Sequence, residues 1–288
     1  MELKDTQTER NLRTAYMNEC RARSTYLFYA DAATKDGFAD AADIFLELSQ
    51  NEGEHARAEL DFLQGIADAR TNLEQAAHTE HQEHVTFYPE FALKAREEGL
   101  HEVADFFERI GKVEGRHEEI CRQLSQHMGE GTPMQGRTVG HSAVTMAQLM
   151  LPHQANTRGF VHGGELMKMA DNAAGVVGAR HARSSVVTAR VEELNFLKPV
   201  RIRDVVMTNA KLTFVARSSM EVRITLEAED LATGERPVAL TAYFIMVALD
   251  EKGKALAVPP LLITTEKEQR LFDEGQRRYE SHRKAAGG

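Results

Sequence analysis

Residues 35–57, KDGFADAADIFLELSQNEGEHAR, return at 97–119 as EEGLHEVADFFERIGKVEGRHEE. At this offset Gly37 falls on Gly99, Ala42 on Ala104, Phe45 on Phe107, Glu52 on Glu114 and His55 on His117. Around the repeat, apolar positions recur at three and four, and residues 8–127 contain a single proline, Pro89. That spacing predicts helices. Gly37, Gly65 and Gly99 fall where helices are expected to end, so the region divides into four segments of similar length. A four-helix bundle follows, with a Glu-x-x-His pair on its second and fourth helices.

In an antiparallel hairpin, two residues share a height when their midpoint falls at the turn. The midpoint of Glu19 and Glu52 lies beside Gly37, that of Glu52 and Glu80 beside Gly65, and that of Glu83 and Glu114 beside Gly99. Residues three apart are neighbours on a helix surface, so Glu52/His55, Glu80/Glu83 and Glu114/His117 can each aim two side chains inward. Five carboxylates and two imidazoles would then meet. Such a concentration of acid inside a bundle is prohibitive without cations, and two divalent metals bridged by carboxylates remove the cost. Mixed oxygen and nitrogen ligation suits iron or manganese. His78, His81, His84, His101 and His127 lack the register and are expected at the surface or around the ligands.

The segments NECRARSTYLFYA, NEGEHA, AAHTEHQEHVTFYPEFALKAREEGL and VEGRHEE resemble the di-iron domain of rubrerythrins over residues 1–128. The resemblance implies two iron ions per chain held by Glu19, Glu52, His55, Glu80, Glu83, Glu114 and His117. It also implies that Glu83 and His55 trade places as the iron changes oxidation state, and that hydrogen peroxide is reduced to water. Tyr26 and Tyr88 match tyrosines near that family's site. Rubrerythrins commonly carry a rubredoxin module with two C-x-x-C pairs; here the only cysteines are Cys20 and Cys121. An external electron donor such as a rubredoxin-like protein is therefore expected, and an iron oxidase or storage role stays open.

The two cysteines also exclude a disulfide framework and a thiolate metal site. Residues 1–128 hold 14 Lys+Arg against 26 Asp+Glu, whereas residues 129–288 hold 21 against 18. An acidic first half argues against nucleic acid as a partner. The start MELKDTQTER is polar, and no apolar run approaches the ~20 residues needed to cross a bilayer. A cytoplasmic protein with no membrane partner is the expectation.

After a Gly-rich linker, MGEGTPMQGRTVGH at 128–141, the pattern changes. VTMAQLML, SVVTARVEELNFL, DVVMTNAKLTFVA, SMEVRITLEAE and PVALTAYFIMVAL read as strands, and one helix at about 163–181 separates the first two. An antiparallel sheet wrapped around one long helix is expected, an α+β arrangement. Within LPHQANTRGFVHGGELMKMADNAAG, Gly163 and Gly164 open the helix with bare N–H groups, Asp171 lies two turns on, and Asn156 sits in the preceding loop. A base, an amide and an oxyanion donor are the roles that attack of water on an acyl carbonyl requires. There is no G-x-S-x-G elbow, so a serine nucleophile is not supported.

Residues 143–285 look like the hotdog-fold acyl-CoA thioesterases, through MLPHQANTRGFVHGGELMKMAD, VVTARVEELNFLKPVRIRDVV, SMEVRITLEAEDLATGE, AYFIMVALD and VPPL. The resemblance implies hydrolysis of fatty acyl-CoA, with Asp171 as general base, Asn156 orienting the water or carbonyl, and Gly164 giving its N–H to the thioester oxygen. His162 and Gly163 would border the substrate, His162 chiefly by positioning the loop. In this family the site forms across a subunit interface, so hotdog dimers assembled into a hexamer are implied. The tail TEKEQRLFDEGQRRYESHRK reads as a charged helix, with Arg270, Arg277 and Arg278 on a solvated face or near CoA phosphates.

The chain is thus expected to join a rubrerythrin-like bundle (1–128), a linker (129–141) and a hotdog acyl-CoA thioesterase domain (142–288), a multidomain α and α+β protein with two activities. The alternative is a bundle that senses iron or redox state, or assists assembly, and regulates the thioesterase without catalysis of its own.

Overall fold

The computed structural model describes residues 3–130 and 136–286, so part of the expected linker lies outside the described residues. The described chain divides into two compact units, 1–76 and 77–288. This division follows packing, whereas the partition at 128 follows composition.

The first unit is a helical hairpin. Helix α1 (Gln7–Lys35) starts at Thr6, whose side chain accepts the Glu9 N–H, and α2 (Ala39–Phe62) returns after Gly37. Gly37 has φ of +81°, a left-handed conformation that favours glycine at a helix end. Ser49 Oγ donates to the Arg23 carbonyl at 2.9 Å and fixes the seam, while the rings of Tyr26, Tyr29 and Phe45 cluster on one side. Tyr26 is a packing residue here. At the end of α2 the left-handed residue is Gln64, not Gly65. Gly65 is required for space: a Cβ there would lie 2.3 Å from Leu60 Cδ1.

The third helical segment belongs to both units: α3 (Ala69–Gln82) crosses the division. It does not run unbroken to Gly99. A π-helical turn, Glu83–Phe87, separates it from α4 (Tyr88–Glu97), and α5 (His101–Glu130) follows Gly99, whose φ is +77°. Pro89 supplies a reason for the break, since it has no N–H to continue the ordinary ladder.

The sheet portion begins with β1 (Arg137–Thr138), a one-turn helix α6 (Val139–Ser142) and β2 (Val144–Leu149). Helix α7 (Gly163–Ala182) precedes β3 (Ser185–Phe196), β4 (Val205–Val215), β5 (Ser219–Glu229) and β6 (Val238–Leu249). A short β7 (Leu261–Leu262) pairs with β1 in parallel, and α8 (Glu266–Ala286) ends the chain. The five long strands are antiparallel in the order β2-β4-β5-β6-β3. Alternation decides the faces: Val206, Ala210 and Leu212 on β4, Val222, Ile224 and Leu226 on β5, and Ala242, Phe244 and Met246 on β6 are buried in one cluster with α7. The helix answers with small residues, Ala170, Ala173, Ala174 and Gly178, which let its backbone lie close to the strands.

Helix α8 covers the opposite face of the sheet. Phe272 and Tyr279 pack on Phe214, with ring centroids 5.0 and 5.4 Å away. Arg278 departs from the expected solvated face. It forks onto both oxygens of Glu221 at 2.8 and 2.9 Å and lies over the Tyr243 ring, whereas Arg270 and Arg277 are exposed as expected.

Candidate functional site

The repeat delivers two ligand groups, one in each unit. In the first, Glu19 on α1 meets Glu52 and His55 on α2; in the second, Glu80 on α3 meets Glu114 and His117 on α5. Each group offers ligand atoms all within 4.8 Å of one another. Glu83 stands in neither group. It opens the π-helical turn, and with Glu114 and Glu80 it acts on the Tyr88 phenol.

Both groups carry crowded acid. The Glu52 carboxyl beside Glu19 raises the Glu19 pKa, with lesser help from burial. Burial, followed by the neighbouring Glu114, raises that of Glu80. Like charges at such separations resist joint ionisation, and a divalent cation placed among them relieves the repulsion. The donor set therefore fits iron or manganese held by carboxylates and imidazole. Tyr88 is near: burial raises its phenol pKa, and Glu83, Glu114 and Glu80 raise it further.

The two histidines differ. His55 Nδ1 lies 3.0 Å from Glu52 and 3.9 Å from Glu19, and the side chain is 62% exposed. His117 Nδ1 lies 2.7 Å from Glu114 and 3.7 Å from Glu80, and its side chain is 29% exposed. Burial alone would lower the His117 pKa; the Thr264 carbonyl and the two carboxylates outweigh it and raise the value. Of the other histidines, His81 meets Glu118 at 3.0 Å and His84 donates to the Gly111 carbonyl at 2.7 Å, both bracing α3 and its π turn against α5.

In the sheet portion, α7 is capped by His162, whose Nδ1 accepts the Gly164 N–H at 2.9 Å. The N–H expected to meet the thioester oxygen is thus engaged by the imidazole here. The first turn of a helix lacks internal acceptors, and the imidazole satisfies one of its N–H groups. At Gly163 the space is tight: a Cβ there would lie 3.2 Å from the Phe196 ring. Asn156 begins a tight loop: its Oδ1 accepts the N–H groups of Arg158 and Phe160 at 2.8 and 3.3 Å, so the side-chain oxygen is committed to the loop.

Asp171 is exposed on α7, and Thr188 Oγ1 on β3 donates to its Oδ1. Thr188 escaped the sequence reading. Its place in SVVTARV gave only a strand position, and the bond to Asp171 depends on how β3 lies beside α7. The strand itself is a long edge, with Val187 46% and Val191 37% exposed.

Comparison with known proteins separates the same two parts. A rubrerythrin family model matches residues 10–125, and a thioesterase superfamily model matches residues 158–235. The rubrerythrin of Nitratidesulfovibrio vulgaris is 38% identical over 142 residues, covering 45% of this chain and 74% of that protein. An uncharacterized acyl-CoA thioester hydrolase of Bacillus subtilis is 37% identical over 137 residues, covering 48% of this chain and 80% of that protein. The cytosolic acyl coenzyme A thioester hydrolase of Rattus norvegicus is 38% identical over 144 residues; the match covers 49% of this chain and only 38% of the rat protein's length. Among solved structures, an apo-hexameric acyl-CoA thioesterase superposes with a TM-score of 0.51 at 32% identity, covering 52% of this chain and 97% of that one. Among the described residues no helix is long and apolar enough to cross a membrane.

Proposed function

From a chain that belongs to the rubrerythrin family through its first half and to the thioesterase superfamily through its second, we propose a protein that hydrolyses acyl-CoA thioesters and reduces hydrogen peroxide. The observation that carries the hydrolase reading is the exposed Asp171 carboxylate on α7, oriented by Thr188. Asp171 takes a proton from water as the water oxygen attacks the thioester carbonyl carbon. Asn156 Nδ2 orients the water or carbonyl, and the first-turn N–H groups of Gly163 and Gly164 stabilise the oxyanion once the His162 ring turns aside. Collapse breaks the carbon–sulfur bond, and the CoA thiolate recovers the proton.

Asn156 and Asp171 complete one another across a dimer, with the long β3 edge as the joining element and hexamers as the assembly. The chemistry calls for a cytoplasmic setting, where acyl-CoA is available. Replacing Asp171 or Asn156 by Ala lowers hydrolysis ~10²-fold or more, the scale of a lost acid/base or polar stabiliser. Release of CoA thiol from acyl-CoA, followed with a thiol reagent, reads the effect; a near-normal rate removes that residue from the mechanism.

In the helical half, two iron ions held by Glu19, Glu52, His55, Glu80, Glu83, Glu114 and His117 would supply the two electrons that reduce peroxide to water. Glu52 and His55 in one copy of the repeat and Glu114 and His117 in the other would be among the residues that hold the metal, with Tyr88 beside Glu83, Glu114 and Glu80. An external donor such as a rubredoxin-like protein returns the electrons. Elemental analysis of anaerobically purified protein should give about two irons per chain, and peroxide should be consumed by the reduced, loaded protein. Negligible metal after ferrous reconstitution refutes this half of the proposal.

A further inference from the structure

His117 on α5 uses both ring nitrogens. Its Nδ1 faces Glu114 and Glu80, and its Nε2 lies 2.6 Å from the carbonyl oxygen of Thr264, between β7 and α8. A carbonyl can only accept, so Nε2 carries the hydrogen and the neutral ring keeps its Nδ1 lone pair toward the carboxylates. Metal-ligating histidines are commonly oriented in this way by a partner on the far nitrogen. His55, its counterpart in the repeat, has no such partner among the described residues.

Thr264 is itself fixed. Its N–H and Oγ1 donate to Glu268 Oε2 at 2.9 and 3.0 Å, which ties it to the first turn of α8. Arg116 Nη1 reaches Gln269 Oε1 at 3.0 Å and Arg109 pairs with Glu266 at 3.2 Å, so α5 meets the start of α8 at three points. On the other side, β7 pairs with β1, and the Pro259 carbonyl accepts from Nε2 of His181 at 2.9 Å. His181 is fully buried at the end of α7, the helix that carries Asp171.

We propose that the strap Pro259–Thr264 of the thioesterase half is an outer support of the metal centre: the Thr264 carbonyl sets the tautomer and direction of His117, linking metal binding to the docking of α8. This rests on the metal-binding reading above. Linkage is reciprocal, so whatever the docked strap adds to metal affinity, bound metal returns to the strap.

The test uses the full chain. Fe(II) is titrated anaerobically against a chromophoric chelator, and amide hydrogen exchange of residues 261–269 is followed with and without iron. Glu268→Ala removes the acceptor that holds Thr264, whereas Glu268→Gln keeps an oxygen for its N–H. The expected result is iron affinity weakened roughly tenfold in Glu268→Ala, the lower end for loss of an outer-shell partner. Glu268→Gln should lie close to wild type, and exchange at 261–269 should slow when wild type takes up iron. Iron-bound wild type with unchanged exchange there overturns the proposal whatever the variants do, including a Glu268→Ala chain that fails to fold. A folded Glu268→Ala chain with wild-type affinity overturns it as well. Wild type that binds no iron at all refutes instead the metal reading on which it rests.

Discussion

Replacing Arg278 by Ala should destabilise the sheet portion by about 3 kcal/mol, the lower end for one-sided loss of a buried pair. Glu221 is 3% exposed, and its carboxylate receives two guanidinium bonds at 2.8 and 2.9 Å and the Thr213 hydroxyl at 2.6 Å. Without Arg278 it keeps only the hydroxyl, and the carboxylate must be protonated or drag water beneath α8. The lower end is chosen because the Arg278 side chain is 18% exposed, so solvent can reach part of the gap. The contact with Tyr243, 4.0 Å from guanidinium carbon to ring centroid, is lost at the same time and is included in that figure. Urea unfolding followed by circular dichroism, at fixed protein concentration because assembly shifts the midpoint, is the assay. With a slope of about 2 kcal/mol per molar, the midpoint falls by about 1.5 M. The double replacement Arg278→Met with Glu221→Leu should recover most of that loss, since no charge is then stranded. A single variant costing under about 1 kcal/mol, or a double variant no better than the single, would refute the reasoning.

Thr188→Val keeps the shape of β3 but removes the donor to Asp171; thioester hydrolysis should fall roughly tenfold with little change in melting, on the scale of one hydrogen bond to a charged group. Unchanged turnover would show that the carboxylate needs no such support. Glu114→Ala removes a ligand from the α3–α5 group and should at least halve the metal per chain by elemental analysis, whereas Glu118→Ala, which releases His81, should leave the count intact. Burial, aided by Arg137 and His141, holds His181 below the usual histidine range, so the folded state binds fewer protons than the unfolded chain. Stability is then present above the unfolded value near 6.5 and declines as pH falls toward the lowered one. Melting temperature measured from pH 7.5 to 5.5 should drop in wild type and flatten in His181→Gln, which retains an amide donor for Pro259; equal slopes would remove His181 as the source.

The helices and strands were legible because their apolar periods are plain; the repeat picked out Glu52, His55, Glu114 and His117, and the midpoint heights added Glu19 and Glu80. The π-helical turn was not legible: nothing in EHVTF announces a five-residue ladder, which arises where Pro89 interrupts the segment and His84 is drawn to Gly111. The cap at Gly164 was overlooked because a histidine is not the usual residue to close a helix start; His162 was read as positioning the loop, without the bond to the Gly164 N–H that does so. Arg278 looked solvated because α8 is dominated by charged residues, with only a few apolar ones such as Phe272 and Tyr279 to mark a covered face. The usable hint lay on the partner strand, where Glu221 sits between Met220 and Val222, both buried.

The contacts that join α5 to the start of α8 link residues 147 and 153 positions apart. A ribosome adding about 5–20 residues per second delivers Thr264 some 7–30 s after His117. During that interval the helical segments can already collapse and begin to collect metal, with a histidine whose ring is still free to turn. The finished arrangement of the His117 ring is therefore a late event in the life of each molecule, set when the last helix docks. A chain terminated before residue 264 would carry every ligand of the expected set and still lack the means of holding one of them in place.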